Sequence, residues 1–167
     1  EEKIAASVIG LTYRTADKAK YSNLEDFAKQ NGKLIPISPQ NAQYKVIEDF
    51  NATNPKTPIK LDAADQFTIS DAYAWLLEGR YDGFFDIKLS FDNSVLAADG
   101  PYHDYASKLS YVPYKGIPTY PIIHKNATNE SFAKAYDKAI KELEADGTLT
   151  KLSKKYFGED VFSYIKD

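Results

Sequence analysis

The stretch at residues 71–86, DAYAWLLEGRYDGFFD, constrains the fold most, because its hydrophobic period changes in the middle. Ala72 and Leu76 recur at helical spacing, whereas residues 81–85 form a short aromatic run that is typical of a strand. The pattern predicts a helix that leads into a strand, with Asp86 as a carboxylate just beyond it. Ligands of open α/β sheets gather at the carboxyl ends of strands, so Asp86 is a candidate site residue. The alternative is that Asp86 only ends a strand at the surface.

The composition indicates a globular chain that does not bind nucleic acid. Its 167 residues suit one domain, or one domain with part of another, and 43% of them are hydrophobic. The net charge is -3 with both signs interspersed, so no large basic face is available for a nucleic-acid partner. The absence of cysteine excludes disulfides, thiolate catalysis and cysteine-built metal sites.

Motifs of catalysis and of metal binding are absent from the sequence. The two histidines, His103 and His124, lie 21 residues apart, and no carboxylate pattern of metal type surrounds either of them. There is no G-x-S-x-G elbow and no H-E-x-x-H motif. We therefore expect a protein that is not an enzyme and that uses no metal or other cofactor.

The N-terminal sequence predicts a processed or recombinant product. The chain starts Glu1-Glu2-Lys3, contains no methionine, and has no apolar stretch near the ~20 residues that span a bilayer. We expect any export signal or lipid anchor to have been removed, so that the only contact with a membrane would be through that anchor.

Strand-like and helix-like segments alternate along the chain. Extended segments are predicted at residues 4–13, 33–37, 59–61, 81–85, 111–114 and 120–124. Helices are predicted at residues 23–30, 42–50, 70–79, 87–96, 130–145 and 149–156. Ser22 and Ser70 are the predicted N-caps of two of these helices, Gly79 is a suitable helix exit, and Asp82 is expected to bond its own backbone in the next turn. The alternation predicts an α/β fold, a three-layer mixed sheet with helices on both faces.

The turn at residues 38–41, SPQN, opens the helix predicted at 42–50. A strand-to-helix turn directs free backbone N–H groups above the sheet, where they suit a carboxylate or a phosphate. The turn is not glycine-rich, which argues against a phosphate loop of the nucleotide type. The alternative is that Ser38 and Asn41 only cap the helix.

Several segments resemble one family, the bacterial polar amino-acid binding proteins of ABC importers. The C-terminal segments are YPIIHK at 120–125, SFAKAYDKAIKELEADGT at 131–148 and LSKKYFG at 152–158. The upstream segments are LEDF at 24–27, NGK at 31–33, the loop at 38–42 and LEGRYD at 77–82. These segments cover nearly all of the chain and occur in the order in which the family has them.

The resemblance implies a periplasmic-binding-protein-like fold, in which two α/β lobes joined by a hinge close on an amino acid. Laid on that pattern, residues 7–119 are the second, ligand-binding lobe and residues 120–167 return to the first lobe. The opening portion of the first lobe, which in relatives carries the arginine that grips the ligand carboxylate, has no counterpart here. The resemblance therefore implies one lobe plus a partial second lobe, which is a fragment.

The resemblance also implies a ligand-binding site. Asp86 would hold the ligand ammonium, and Ser38, Gln40, Asn41 and the Ala42 N–H would hold the polar ends of the ligand.

Two departures from the family pattern affect this site. Relatives place the aspartate five residues after the position of Asp82, which is Ile87 here, so Asp86 lies one residue early. A deletion or a shifted strand would reconcile the two positions. The loop at 38–41 reads SPQN where a glycine-threonine pair is common, which indicates a different ligand subclass.

The function that the resemblance implies is that of the substrate-binding component of an amino-acid ABC importer. Its partners would be a polar amino acid or derivative and the transporter permease, and its location would be extracellular or periplasmic, as a lipid-anchored protein. Alternatives are the extracellular ligand-sensing domain of a receptor kinase, a dehydratase-like enzyme on the same scaffold, and a structural interaction module.

The helix predicted at 130–145 carries an apolar stripe made of Phe132, Tyr136, Ile140 and Leu143. If the first lobe is incomplete, the stripe must be covered by this chain or by a second copy. We therefore expect self-association.

Overall fold

The computed structural model describes residues 2–64, 67–124 and 126–165. Its strands are β1 (Ala5–Arg14), β2 (Gly83–Ile87) and β3 (Leu109–Thr119). Its α-helices are α1 (Leu24–Lys29), α2 (Ala42–Thr53), α3 (Ile69–Leu77), α4 (Lys88–Phe91), α5 (Ala127–Ala145) and α6 (Thr148–Phe157). Short 3-10 turns lie at Thr15–Asp17, His103–Tyr105 and Val161–Tyr164, and a π-helical turn, Asp92–Leu96, follows α4.

The three strands form one sheet in the order β2-β1-β3. β1 and β2 are antiparallel, with Ile9 opposite Ile87 and Tyr13 opposite Gly83. Two isolated bridges, Leu34 with Gly83 and Ile37 with Ala63, are parallel. Helices thus combine with strands that pair in both directions, and the predicted α/β class is confirmed.

The segments at residues 33–37 and 59–61, which were predicted as strands, do not form continuous strands. Residues 33–37 contribute only the bridges at Leu34 and Ile37, because Pro36 between them has no N–H to donate to a ladder. Residues 59–61 have no regular secondary structure, although Ile59 is buried. Both predictions were wrong in extent, since short apolar runs fit a buried loop as well as a strand.

The helix boundaries differ from the predictions where a cap was misassigned. The N-cap of α1 is Asn23 rather than Ser22, and the Asn23 side chain accepts a hydrogen bond from the Asp26 N–H at 2.7 Å. The N-cap of α3 is Thr68 rather than Ser70. α5 begins at Ala127, three residues before the predicted start at 130, because the Asn126 side chain caps it.

The chain divides into two compact units. The central unit is Ile9–Tyr114, and the terminal unit is Glu1–Val8 together with Lys115–Asp167. The assignment of residues 7–119 and 120–167 to two lobes of a binding protein stays a prediction.

The core of the central unit is a cluster of buried apolar and aromatic side chains. Its buried members are Ile35, Ala72, Tyr73, Leu76, Phe84, Phe91, Val95 and Leu109. α3 contributes its apolar stripe to this cluster and ends before Gly79, whose positive φ of 74° suits a residue without Cβ, as predicted. The core therefore fixes α3 against β2, the two elements that border the site described below.

Arg14 holds the end of α3 and the start of β2 together. Its guanidinium donates to the backbone oxygens of Leu76 (2.9 Å) and Tyr81 (2.6 Å) and to the carboxylates of Asp82 (2.8 Å) and Asp17 (2.9 Å). Asp82 also accepts a hydrogen bond from the Lys33 N–H at 2.9 Å. The prediction that Asp82 bonds its own backbone was wrong, because a distant arginine and a distant N–H occupy its oxygens.

The terminal unit buries much less of its apolar surface. Ala6, Val8 and Val161 form its small buried cluster. On α5, Ile140 is buried but Phe132 is 59% exposed, so the predicted stripe is covered only in part. Residues 120–124, which were predicted to be extended, have no regular secondary structure, and Ile122 is fully exposed. Within the part of the chain that the structure describes, no helix is both long and apolar enough to span a bilayer.

Candidate ligand-binding site

A cavity of about 660 Å³ opens in the central unit, bordered by β2, by the turn before α2 and by the beginning of α3. Its lining residues are Pro36, Ile37, Ser38, Asn41, Gln43, Ala64, Phe67, Thr68, Ile69, Asp71, Phe84, Phe85, Asp86, Ile87 and Ser90. Eight of these fifteen residues are apolar or aromatic and seven are polar or acidic, a mixture that suits a polar small molecule.

Asp86 is the fourth residue of β2, which continues to Ile87 instead of ending at residue 85 as predicted. The strand is longer because Ile87 pairs with Ile9 of β1. Asp86 therefore belongs to the carboxyl end of the strand rather than to the loop after it. Its side chain is partly buried and lines the cavity.

Neighbouring elements fix the position of Asp86. Gln43 Nε2 on α2 donates to Asp86 Oδ1 at 2.8 Å, and the Tyr111 hydroxyl on β3 donates to the Asp86 backbone oxygen at 3.0 Å. Asp86 lies opposite Gly10 on β1. A Cβ at Gly10 would collide with the Val112 backbone oxygen and the Tyr111 ring, so only glycine lets β3 approach this closely.

The Asp86 carboxylate has acceptor capacity left for a ligand. Burial raises the pKa of Asp86, and hydrogen bonds from the Ile87 backbone, Gln43 and Ser90 oppose that rise. Within the described ranges, Asp86 forms no ion pair with a lysine, an arginine or a histidine. Burial without a cation disfavours the charged form, so an ammonium group in the cavity would stabilise it.

The turn before α2 brings Ser38 and Asn41 to the same cavity as Asp86. Asn41 occupies the N-cap position of α2, but its side chain makes no capping hydrogen bond, and the first turn of the helix carries no acidic residue. The backbone N–H groups at this helix start are therefore free of the usual side-chain acceptor. Gln40 and Ala42 are exposed and do not line the cavity, so their role in binding stays a prediction.

The beginning of α3 borders the cavity as well, but side chains of its own first turn cap it. Asp71 accepts hydrogen bonds from the Thr68 N–H (2.9 Å) and the Thr68 hydroxyl (2.7 Å), while the Asp71 N–H donates to Thr68 Oγ1 (3.1 Å). The bond from the Thr68 hydroxyl is the main cause that lowers the pKa of Asp71. This capping box compensates the positive end of the helix.

Sequence reasoning missed the cavity residues outside the SPQN turn and Asp86. Gln43 is the most informative of them, because it touches Asp86 directly. Gln43 lies two residues after the N-cap of α2. A side chain at that position can reach the end of a strand beside the helix, so its place in the sequence could have identified it as a site residue. Thr68 and Phe67 lie on a loop that carried no motif. No cluster of three or more histidine, aspartate or glutamate side chains suited to a metal occurs among residues 2–64, 67–124 and 126–165.

Comparisons with known proteins show which solved structures have a similar fold. No protein-family model and no curated protein matches the chain. Among solved structures, it is similar to the probable amino-acid ABC transporter extracellular-binding protein ytmK from Bacillus subtilis, with a TM-score of 0.69 and 21% identity over 96% of this chain and 63% of that one. It is also similar to a structure on glutathione import through GshT and the cystine ABC importer TcyBC of Streptococcus mutans, with a TM-score of 0.61 and 19% identity over 99% of this chain and 63% of that one.

The chain has a periplasmic-binding-protein-like fold. This confirms the resemblance that the sequence suggested at the level of the fold, and several of the solved neighbours are substrate-binding proteins of amino-acid ABC transporters. The chain spans 63% of the length of each of the two neighbours named above.

Proposed function

We propose that this chain provides the ligand-binding region of the substrate-binding component of an amino-acid ABC importer. The observation that carries the proposal is the Asp86 carboxylate, which is partly buried, has no cationic partner among the described residues and lines a 660 Å³ cavity beside the uncapped start of α2. A free α-amino acid carries an ammonium and a carboxylate close together. The Asp86 carboxylate suits the ammonium, and the start of α2 suits the carboxylate.

In this arrangement, each end of the amino acid has its own partner. The ligand ammonium forms a charge-assisted hydrogen bond with Asp86, which Gln43 keeps oriented through its 2.8 Å bond. The ligand carboxylate accepts from the backbone N–H groups at the start of α2 and from Ser38 and Asn41. Gln40 and the Ala42 N–H are the further contacts that the family resemblance assigns to this end. The proposal involves binding alone, without a chemical step.

Calorimetric titration tests the proposal. The 167-residue chain and the complete gene product are each titrated with the twenty L-amino acids and L-cystine. We expect a saturable signal with at least one of them, and a loss of at least ~100-fold in affinity for Asp86→Asn, because the charged partner is gone. The matched control is Asp49→Asn, an exposed aspartate on α2 outside the cavity, which should bind normally. Silence of both proteins with every ligand would reject the proposal.

The pH dependence gives a second test of the same contact. Because burial raises the pKa of Asp86, the carboxylate is protonated at a higher pH than an ordinary aspartate. Ammonium binding requires the ionised form, so affinity should decrease as the pH falls through that raised pKa. A ligand affinity that stays constant while the pH falls to the ordinary pKa of an aspartate would contradict the role of Asp86.

A ligand-sensing domain is the second candidate function. One neighbour is the GluR0 ligand-binding core from Nostoc punctiforme in complex with L-glutamate, with a TM-score of 0.53 and 18% identity over 93% of this chain and 63% of that one. The sequence of the complete gene separates the two functions. A membrane-spanning segment followed by a signalling domain favours the sensor, and neighbouring genes for a permease and an ATPase favour the importer. Product formation from an amino-acid-like substrate would favour the dehydratase-like enzyme instead.

The remaining parts of the proposal concern the complete protein. We place it outside the cytoplasmic membrane as a lipid-anchored protein that delivers its ligand to the permease, with residues 7–119 as the ligand-binding lobe and residues 120–167 as a segment of the other lobe. Self-association of the 167-residue chain through α5 belongs to the same proposal, since Phe132 is 59% exposed. Light scattering of the chain at high concentration tests that point, and a clean monomer would contradict it.

A further inference from the structure

The charges that line the cavity are all of one sign. Asp71 and Asp86 are the ionisable side chains among its described lining residues, and none of those residues is a lysine, an arginine or a histidine. Among the described residues of the wall, compensation comes from the dipoles of the helix starts, which amount to about half a positive charge at each N-terminus. Whether a negatively charged ligand group can bind therefore depends on a helix start whose positive end is not already offset by an acidic side chain.

The two helix starts at the cavity are not equivalent. α2 has 12 residues, no acidic residue in its first turn and no side-chain cap, so its N-terminal N–H groups and its dipole are open to one anion. α3 has 9 residues and already carries an anion of its own, since Asp71 accepts the Thr68 N–H at 2.9 Å. Of these two helix starts, α2 is therefore the one whose dipole is not already offset by an acidic side chain of its own first turn.

The proposed function assigns that place to the α-carboxylate of the ligand and assigns Asp86 to its ammonium. The rest of the ligand then meets an apolar and aromatic wall that includes Phe67, Ile69 and Phe84, together with the negative charge of Asp71. The pKa of Asp71 is lowered, so this charge is present at neutral pH. A second ligand carboxylate would approach the exposed carboxylate of Asp71, and no lysine, arginine or histidine is among the described lining residues to offset that charge.

We propose that this site selects amino acids with uncharged or cationic side chains and rejects those with acidic side chains. The inference rests on the proposed function and deepens it, because it names the class of ligand from the charge of the wall. The rejection comes from repulsion by Asp71 and from the absence of a lysine, an arginine or a histidine among the described lining residues.

L-glutamine and L-glutamate are a matched pair for the test, because they have the same shape and differ by one negative charge. The full chain is titrated with both, with L-asparagine and L-aspartate, and with the remaining amino acids. We expect L-glutamate and L-aspartate to bind at least ~10-fold more weakly than the tightest uncharged or cationic amino acid, or to give no signal while that amino acid binds. L-glutamate should also bind with lower affinity than L-glutamine wherever both affinities are measurable.

The outcomes separate this inference from the proposed function. Binding of L-glutamate or L-aspartate within tenfold of the best ligand would overturn the charge selection and leave amino-acid binding intact. Silence with every amino acid would overturn the proposed function, and the charge selection with it.

The substitution Asp71→Asn tests the residue that carries the selection. Asparagine keeps an oxygen that can accept from Thr68, so the capping box is preserved while the charge is removed. We expect the ratio of L-glutamate affinity to L-glutamine affinity to rise by at least ~3-fold, or L-glutamate binding to become measurable. The control Asp49→Asn removes the same charge from the exposed face of α2, where Asp49 pairs with Lys45 at 2.7 Å, and should leave the ratio unchanged. An equal response of the two variants would overturn the role of Asp71.

Discussion

The central unit and the terminal unit bury their apolar side chains to very different degrees. In the central unit, α3 inserts Ala72, Tyr73 and Leu76 into an aromatic core, and each of them is at most 1% exposed. In the terminal unit, the 19-residue helix α5 buries Ile140 but leaves Phe132 59% exposed, and α6 leaves Leu152 44% exposed. Since burial of apolar surface is the main stabilising contribution, we expect the unit that contains the cavity to contribute more to the stability of the chain than the terminal unit.

The largest expected effect is a matched pair of leucine truncations. Leu76→Ala creates a cavity in the core of the central unit and should lower the free energy of unfolding by about 2–5 kcal/mol. Leu152→Ala removes a half-exposed side chain from a helix of the terminal unit and should change it by less than about 1 kcal/mol. Urea denaturation followed by circular dichroism measures both, and equal losses would show that the terminal unit has a core of comparable importance.

The polar network of Arg14 gives the next largest effect. Arg14→Met removes four donated hydrogen bonds, leaves the partly buried carboxylate of Asp82 without its cation and leaves Asp17 with only the exposed Lys20 at 3.3 Å. We expect a loss of about 2–4 kcal/mol, because truncating one member of a buried network leaves the others unsatisfied.

The matched ion pair in the terminal unit lies at the surface. Lys134→Met breaks the ion pair between Lys134 and Glu130. The lysine side chain is 77% exposed and the glutamate side chain is 69% exposed, so the substitution should have almost no effect on stability. A loss for Lys134→Met as large as that for Arg14→Met would contradict the difference between the units.

Local patterns were sufficient to predict the segments in which a hydrophobic period is unbroken. The helix-to-strand change at residues 71–86 corresponds to α3 followed by β2, and Gly79 has the predicted positive φ. The periodic stripe at 130–145 corresponds to most of α5. In these segments the same residues determine both the local conformation and the buried face, so the sequence alone is informative.

Features that depend on distant contacts could not be predicted in the same way. β2 extends to Ile87 because of its pairing with β1, and Asp82 binds Arg14, which is 68 residues earlier in the chain. The site shows the same division. Ser38, Asn41 and Asp86 line one cavity, as expected of a common site, whereas Gln43, Thr68 and Asp71 become part of it only through the packing of α2 and α3.

Within the central unit, the two helix starts at the cavity should respond differently to truncation. Thr68→Ala removes a bonded N-cap from α3 and should cost about 1 kcal/mol of stability. Asn41→Ala removes an N-cap residue of α2 that makes no capping bond, so its cost should be only a few tenths of a kcal/mol. Thermal unfolding without ligand measures both, and the reverse order would show that Asn41 is a structural cap rather than a free group at the site.

The smallest expected effect has the opposite sign and comes from Asp86. Burial raises the pKa of Asp86, so between its ordinary value and its raised value the folded chain binds more protons than the unfolded chain, and stability decreases as the pH rises through that window. Asp86→Asn cannot ionise and still offers an oxygen to Gln43, so it should unfold at a slightly higher temperature than the parent at neutral pH and show no advantage in acid. The control Asp49→Asn removes an exposed aspartate of α2 outside the cavity and should show no such pH-dependent gain. A lower unfolding temperature for Asp86→Asn at neutral pH would mean that the folded chain itself compensates the carboxylate. The partly buried aspartate would then cost no stability, and its position would give no support to a role in ligand binding.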